Sequence, residues 1–331
     1  MNPPPELLDF LKKSDNFLIA SHINPDGDAI GSSNALSMLL RAMGKKTALL
    51  LKDPFPYQYS FLPGAGDFLS FKSYSNKASN SENLILLDCN ETKRAGIGEP
   101  SAPDLNFHKI AVIDHHETSK SFGDIRWIVP EAPATGLMVY SIIKHLDIKI
   151  TKEIATNLYT AISFDTGNFR YENTTPEVFR AAADLTDAGA KPHLLYSSLF
   201  EKWTLNRFKL LIDIMGSLEL EDGIAIALVT KEMFENTSTS ADDTESFVTF
   251  PRVLDDVKVS AIIRETGDNY LRVSLRSKSG VDVARIAEAF GGGGHKNAAG
   301  FRIQADIQTI KENLKKIIKD YLESVYKPPS K

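Results

Sequence analysis

The feature that most constrains the fold is an alternation in the first half of the chain. Four short apolar runs, Asn16–Ser21, Lys46–Leu51, Asn83–Leu87 and Lys109–Ile113, recur with helical patterns between them. The runs are Leu-, Ile- and Val-rich and short, so they read as buried strands. Ala29–Met43 repeats its apolar residues at helical spacing, and Gly44 supplies a C-terminal stop. Strands alternating with helices imply a doubly wound, mostly parallel sheet in an α/β domain. Such sheets collect ligands outside the carboxyl ends of their strands.

Three further helices are expected over Ala134–Asp147, Thr151–Phe164 and Thr175–Ala188, with Thr151 and Thr175 as N-caps. Pro192–Met215 reads as one amphipathic helix. The second half changes character. Ser217–Thr230, Val257–Arg264, Tyr270–Arg276 and Gly300–Gln304 are strand-like, Asp282–Phe290 is a short helix, Gly291–Gly294 a glycine loop, and Asp306–Tyr326 a final helix. This predicts a smaller C-terminal α/β domain with a mixed sheet. Expected boundaries are 1–190 for the first domain, 191–215 for a helical connector and 216–331 for the second. The polar stretches Lys72–Asn83 and Glu235–Ser246 read as exposed loops.

Composition narrows the function classes. The one cysteine, Cys89, excludes an intramolecular disulfide, as suits a cytoplasmic protein. No apolar stretch approaches the ~20 residues that span a bilayer, and the N-terminus has no signal-peptide pattern. A net charge of −5 argues against a binder of long duplex nucleic acid. It leaves room for a small phosphorylated substrate held by local cations and metals.

Four clusters carry the chemistry. After the first strand come His22, Asp26 and Asp28, with Pro25 and Gly27 bending the chain. Oxygen donors with imidazole suit Mn²⁺ or Mg²⁺, although Asp26 and Asp28 also fit a plain helix N-cap. Asp88 ends the third strand, where a carboxylate is costly unless paired or metal-bound; a turn-forming Asp is the bland alternative. Asp114, His115 and His116 end the fourth. Neighbours in extended chain point opposite ways, so at most one histidine ligates there unless the chain turns. Asp165 ends a predicted helix, where the dipole disfavours a carboxylate and a cation would relieve it. Singly these are weak. A parallel sheet brings strand ends together, and two hard cations sharing a carboxylate form a common site for phosphate-ester hydrolysis.

The second domain adds Gly291–Gly294 followed by His295. Consecutive glycines let backbone N–H groups approach an anion. Arg272, Ser274 and Arg276 share one face of their strand by period-two alternation, a face suited to phosphate or ribose.

Together these motifs resemble the DHH phosphoesterase family over nearly the whole chain. The matching pieces are His22 to Asp28, Asp88 with Arg94 downstream, Asp114 to His116, Asp165, and Gly291 to His295 of a DHH-associated domain. The resemblance is nearest to short, two-domain oligoribonucleases that also remove the 3′-phosphate of 3′-phosphoadenosine 5′-phosphate. It implies one Mn²⁺ on His22, Asp26 and Asp88, and a second on Asp28, Asp88, His115 and Asp165, with Mg²⁺ as the alternative metal. It implies that His116 contacts the scissile phosphate and that Asp114 orients the histidines. Ser274, Arg276, Gly293, Gly294 and His295 would bind substrate. Short RNA and phosphoadenosine phosphate are the implied substrates; no membrane partner is implied, and a homodimer is allowed. Two other functions stay open: a phosphodiesterase for linear or cyclic dinucleotide messengers, and a nucleotide-binding module without catalysis.

Overall fold

The computed structural model describes residues 1–75, 82–97, 106–116, 122–267, 270–278 and 280–326. The chain divides into two compact units, Met1–Lys202 and Trp203–Lys331.

The first unit runs α1 (Pro5–Lys13), β1 (Phe17–Ala20), α2 (Gly27–Ala42), β2 (Thr47–Leu51), β3 (Phe68–Ser70), α3 (Phe71–Ser75), β4 (Glu82–Leu87), β5 (Phe107–Asp114), β6 (Ile125–Ile128), α4 (Thr135–Leu146), α5 (Lys152–Asp165), α6 (Pro176–Asp187) and α7 (Pro192–Phe200). Its six-stranded sheet has the order β3-β2-β1-β4-β5-β6, with parallel pairing throughout. The α/β class and parallel sheet expected from sequence are what the chain forms. The order reverses between β1 and β4, the switch point where such sheets open a crevice at their carboxyl edge.

Both faces of this sheet are buried, which is why the strands lack polar alternation. Phe17, Ile19, Ile85, Leu87, Ala111 and Ile113 face one core with residues of α1, α2, α4, α5 and α6. Leu18, Ala20, Leu84, Leu86 and Val112 face the other, under Phe71, Tyr74 and the 89–97 segment. Thr151 and Thr175 cap α5 and α6 as expected, accepting from Ile154 and Val178 N–H. The edge strands β3 and β6 and helix α1 were not among the expected elements. For α1 a signal exists: Leu7, Phe10 and Leu11 lie at helical spacing behind a proline at the first turn, and all three are buried.

The second unit runs α8 (Leu205–Gly216), β7 (Glu219–Glu221), β8 (Ile224–Val229), α9 (Lys231–Thr237), β9 (Val259–Glu265), β10 (Tyr270–Ser277), α10 (Val283–Glu288), β11 (Gly293–His295), β12 (Ala298–Gln304) and α11 (Ile307–Tyr326). Its sheet is mixed, as expected, in the order β11-β12-β10-β9-β8-β7; among the described strands β8–β9 is the parallel pair. Leu271, Val273, Leu275, Ala261, Ile263 and Phe301 face a core closed by α10 and α11. On the opposite face α8 covers only the β8–β9 side, through Leu210, Leu211 and Ile214 against Ala227, Val229 and Ile262.

Several sequence expectations are corrected. Pro192–Met215 is two helices, because Thr204 starts a new one with its side chain accepting from Arg207 N–H at 3.1 Å. Ser217–Thr230 is a hairpin: Asp222 and Gly223 both take positive φ, 48° and 81°, the left-handed pair a two-residue turn needs. Glu235–Ser246 is not all loop, since α9 continues to a buried Thr237. Lys72–Ser75 lies in α3 and residues 82–83 in β4; residues 76–81 lie outside the described residues. Gly293 and Gly294 belong to a strand, paired with Gly300 and Ala299. No helix among the described residues is long and apolar enough to cross a membrane.

Candidate metal centre

The carboxyl edge of the first sheet gathers the polar side chains that the sequence scatters. Asp26 caps α2, its Oδ1 accepting from the N–H groups of Asp28 and Ala29 at 3.0 and 3.1 Å. The cap and the clustered carboxylate are one residue, so the bland and chemical readings of this motif both hold. Asp28, one residue into α2, is fully buried. Its two oxygens accept from Thr135 N–H at 2.6 Å and Gly136 N–H at 2.8 Å, the opening turn of α4. A helix N-terminus offers unpaired donors and a favourable dipole, which holds this carboxylate in place.

Asp88 leaves β4 with φ at 57°, a left-handed conformation that Asp tolerates better than bulky residues. Its N–H donates to Ile113 O at 3.0 Å, and Thr135 Oγ1 donates to its Oδ1 at 3.2 Å. It is 2% exposed and central: His22 Nε2 lies 3.3 Å from Oδ2, His115 Nε2 3.3 Å from Oδ1, and His116 Nδ1 3.6 Å from Oδ1. His115 Nε2 also lies 3.1 Å from Asp165 and 3.7 Å from Asp28. Both histidines reach Asp88 because the chain turns after Asp114. The Asp114 Oδ1 accepts from the N–H of His115 at 2.9 Å and of His116 at 3.3 Å.

The imidazoles share a pattern. His22 Nδ1 lies 2.9 Å from Ile23 O, His115 Nδ1 2.9 Å from Ala132 O, and His116 Nδ1 2.7 Å from Asp114 Oδ1. Each partner oxygen can only accept, so each Nδ1 carries a proton and Nε2 is the ring atom turned to the carboxylates, free to ligate once a cation displaces its proton. Carbonyl or carboxylate support of this kind orients metal-ligating histidines.

Among the described residues, three groups of side chains have donor atoms within 4.8 Å of one another: His22 with Asp26 and Asp88; Asp28 with His115 and Asp165; and Asp88 with His115 and His116. Asp88 belongs to two of them. The crowding is expensive without cations. Burial, then the charges of Asp88 and Asp165, hold Asp28 well above the usual carboxylate range. Burial, then Asp165 and Asp88 against an opposing pull from His22, raise Asp26 to about 7. Burial disfavours the charged form of His22, but the hydrogen bond to Asp88 and the Asp26 charge outweigh it and lift the ring to about 9. Buried carboxylates interleaved with imidazoles are a hard donor set that divalent cations would neutralise.

Comparison with known proteins agrees. Residues 16–162 match the DHH family, N-terminal domain, and residues 223–325 match the DHHA1 domain. The chain is 35% identical to a Thermus thermophilus protein named bifunctional oligoribonuclease and PAP phosphatase NrnA, over 92% of this chain and 89% of that one. A Bacillus subtilis protein of the same name is 27% identical over 92% and 97%. The crystal structure of an exopolyphosphatase-related protein from Bacteroides fragilis superposes with a TM-score of 0.86 at 26% identity, covering 97% of each chain.

The chain belongs to the DHH family.

DHH-family enzymes are metal-dependent, and the acidic and histidine groups here could hold metal. Every sequence-predicted residue of the first unit takes part: His22, Asp26, Asp28, Asp88, Asp114, His115, His116 and Asp165 form one connected set. In this DHH-family chain the sequence reading missed the support from Thr135, Gly136 and Ala132. Asp28 and Thr135 are 107 positions apart, and no local pattern links them. The substrate-side residues lie elsewhere, in the second unit. Ser274 and Arg276 lie on the β10 face turned away from Val273 and Leu275, as alternation predicts. A Cβ at Gly292 would stand 2.3 Å from Gly300 O, and one at Gly294 2.5 Å from Ala298 O; Gly293 meets nothing within 4 Å. Two of the four glycines are thus required by close strand approach, and His295 is described by its backbone alone.

Proposed function

We propose that this enzyme hydrolyses short oligoribonucleotides to mononucleotides and removes the 3′-phosphate of 3′-phosphoadenosine 5′-phosphate, using two Mn²⁺ ions. The observation that carries the reading is the pair of donor groups, His22–Asp26–Asp88 and Asp28–His115–Asp165, with Asp88 in contact with both histidines. The names of the similar proteins from Thermus thermophilus and Bacillus subtilis supply the substrate class.

His22, Asp26 and Asp88 would hold one ion, and Asp28, Asp88, His115 and Asp165 the other. When bound, the ions would supply a lowered pKa for water and positive charge for the phosphoryl oxygens. The protein's own work is positioning. The first turn of α4 fixes Asp28, Thr135 steadies Asp88, and Ala132 O sets the His115 ring. His116, its Nδ1 proton held by Asp114, would contact the scissile phosphate through Nε2. Ser274, Arg276, His295, Gly293 and Gly294 of the second unit would bind substrate.

The test is direct. Purified protein with Mn²⁺ should release mononucleotides from a diribonucleotide and phosphate from phosphoadenosine phosphate, and EDTA should stop both. Absence of turnover on both substrates would defeat the reading.

A further inference from the structure

The chain leaves α5, the helix that ends on Asp165, through a strained turn. Gly167, Asn168 and Phe169 take φ of 57°, 59° and 63°, three left-handed residues in succession. Glycine adopts that conformation freely, whereas a phenylalanine persists there only where its surroundings over-determine it. Here they do. Thr166 Oγ1 donates to Ile162 O at 2.7 Å and accepts from Phe169 N–H at 3.1 Å. The N–H groups of Arg170 and Tyr171 both return to Thr166 O, at 2.9 and 3.0 Å. The Phe169 ring packs against Tyr159 and Phe179, with centroids 5.5 and 5.9 Å away.

The turn delivers Asn173 to a fixed place. Its Nδ2 donates to Asp165 O at 3.1 Å and to Pro133 O at 3.2 Å. Both partners are carbonyls, so the amide must turn its nitrogen to them. Its Oδ1 is buried with no hydrogen-bond partner among the described residues. A buried acceptor left unpaired is destabilising, so the two bonds made by Nδ2 are what holds this side chain in place.

Both carbonyls matter to the donor set. The last four carbonyls of a helix have no partner within it. Those of Ile162, Ser163 and Phe164 accept from Thr166, Asn168 and Gly167 N–H inside the turn, and Asp165 O is left for Asn173. Pro133 lies in the segment that supports the other donors. Ala132 O faces His115 Nδ1, the N–H groups of Thr135 and Gly136 hold Asp28, and Thr135 Oγ1 donates to Asp88. One amide therefore joins that segment, 40 positions away, to the helix end that carries Asp165.

We propose that Asn173 is a positioning residue that sets the spacing of Asp165 from Asp28 and His115, and with it the affinity of that donor group for its divalent cation. The proposal rests on the reading that the donor groups hold two ions. Asn173 bonds backbone oxygens, so its loss leaves every ligand in the chain and loosens only their separation.

The test is Mn²⁺ titration calorimetry on the metal-free protein, for wild type, Asn173→Ala and Asn173→Asp. Affinity for one of the two ions should fall about tenfold in both variants, with the other unchanged. Asn173→Asp matches the native side chain in size but turns a carboxylate to two carbonyl oxygens, so it should lose as much as Asn173→Ala. An Asn173→Asp that binds like wild type would mean that the residue only fills space, and overturns the proposal. Equal weakening of both ions overturns it too, as general loosening. Thermal melts without metal show whether each variant folds. If Asn173→Ala does not, Asn173→Asp decides; if neither folds, Asn173 is a structural residue and the proposal fails. A wild type that takes up fewer than two ions defeats the two-ion reading as well. A wild type that binds two, with both variants matching it, defeats the role of Asn173 alone.

Discussion

The two units use the same ingredients, strands covered by helices, and place their polar side chains in opposite ways. In the first unit the described strands all pair in parallel, so the carboxyl ends of β1, β4 and β5 share one edge. Residues far apart in sequence converge there and become buried: Asp28 and Asp114 are fully enclosed, and His115 is 5% exposed. In the second unit neighbouring strands mostly run in opposite directions. Strand ends then alternate between edges, and what accumulates is a face. Arg272, Ser274, Arg276 and Arg302 spread across it and remain reachable by solvent. Parallel topology makes a point of concentrated charge, fitted to metals and one phosphorus. Antiparallel topology makes a floor, over which polar side chains are spread.

Changes at the first unit's edge should abolish chemistry on every substrate alike. Asp88→Asn, which leaves the shape but removes the charge at the centre of the cluster, should lower kcat/KM on the order of a thousandfold. The loss should be equal for phosphoadenosine phosphate and RNA, as parallel steady-state assays would show. A loss confined to RNA would mean the edge is not the common chemical centre. Asp114→Asn should cost roughly 10- to 100-fold, because an amide can donate to His116 Nδ1 and so admit the wrong tautomer. Metal-binding calorimetry together with activity distinguishes this from global unfolding.

A matched pair of glycine variants sharpens the contrast. A Cβ at Gly31 would stand 2.5 Å from Asn157 O, wedging α2 from α5, the helices that carry Asp28 and Asp165. One at Gly292, just before β11, would press on Gly300 and Phe301 of β12. Each alanine variant should lose about 1–3 kcal/mol of stability by overpacking. Only Gly31→Ala should also weaken metal affinity, which titration calorimetry reads. A metal defect in Gly292→Ala would break the separation of roles.

The smallest effect concerns how the second unit holds its last helix. Glu221 pairs with Lys319 and Lys315 of α11, and these hydrogen bonds hold its carboxyl down at about 2, against an ordinary value of 4.5. A depressed carboxylate stabilises the fold above its unfolded pKa and loses that contribution as pH falls from about 4.5 towards 2. Glu221→Gln should therefore melt slightly lower than wild type at pH 7, with the gap closing at acid pH and in high salt. Thermal melts across pH check this, and a gap that persists at pH 2 would point to packing instead.

Much of this was legible in the sequence, for identifiable reasons. The buried strands β1, β2, β4 and β5 announced themselves because burial on two faces demands continuous apolar runs. The edge strands β3 and β6 did not, being three and four residues long with polar positions. Helix caps at Thr151 and Thr175 were local and readable; the break at Thr204 was hidden inside one amphipathic period. Arg272 and Arg276 were visible as one strand's alternation, whereas the placement of Arg264 and Arg302 on either side of Arg272 needed the register of three strands.

By itself, the sequence determined which side chains are candidates for the chemistry: carboxylates and histidines placed where apolar strands end, because charge is tolerated only where the buried run stops. Tertiary structure decided how they meet. It turned the chain after Asp114 so that both histidines face Asp88, and it brought the α4 N-terminus onto Asp28 across 107 positions. Those outcomes depend on strand order and helix docking. These are set by packing between distant segments, and no local pattern of residues records them.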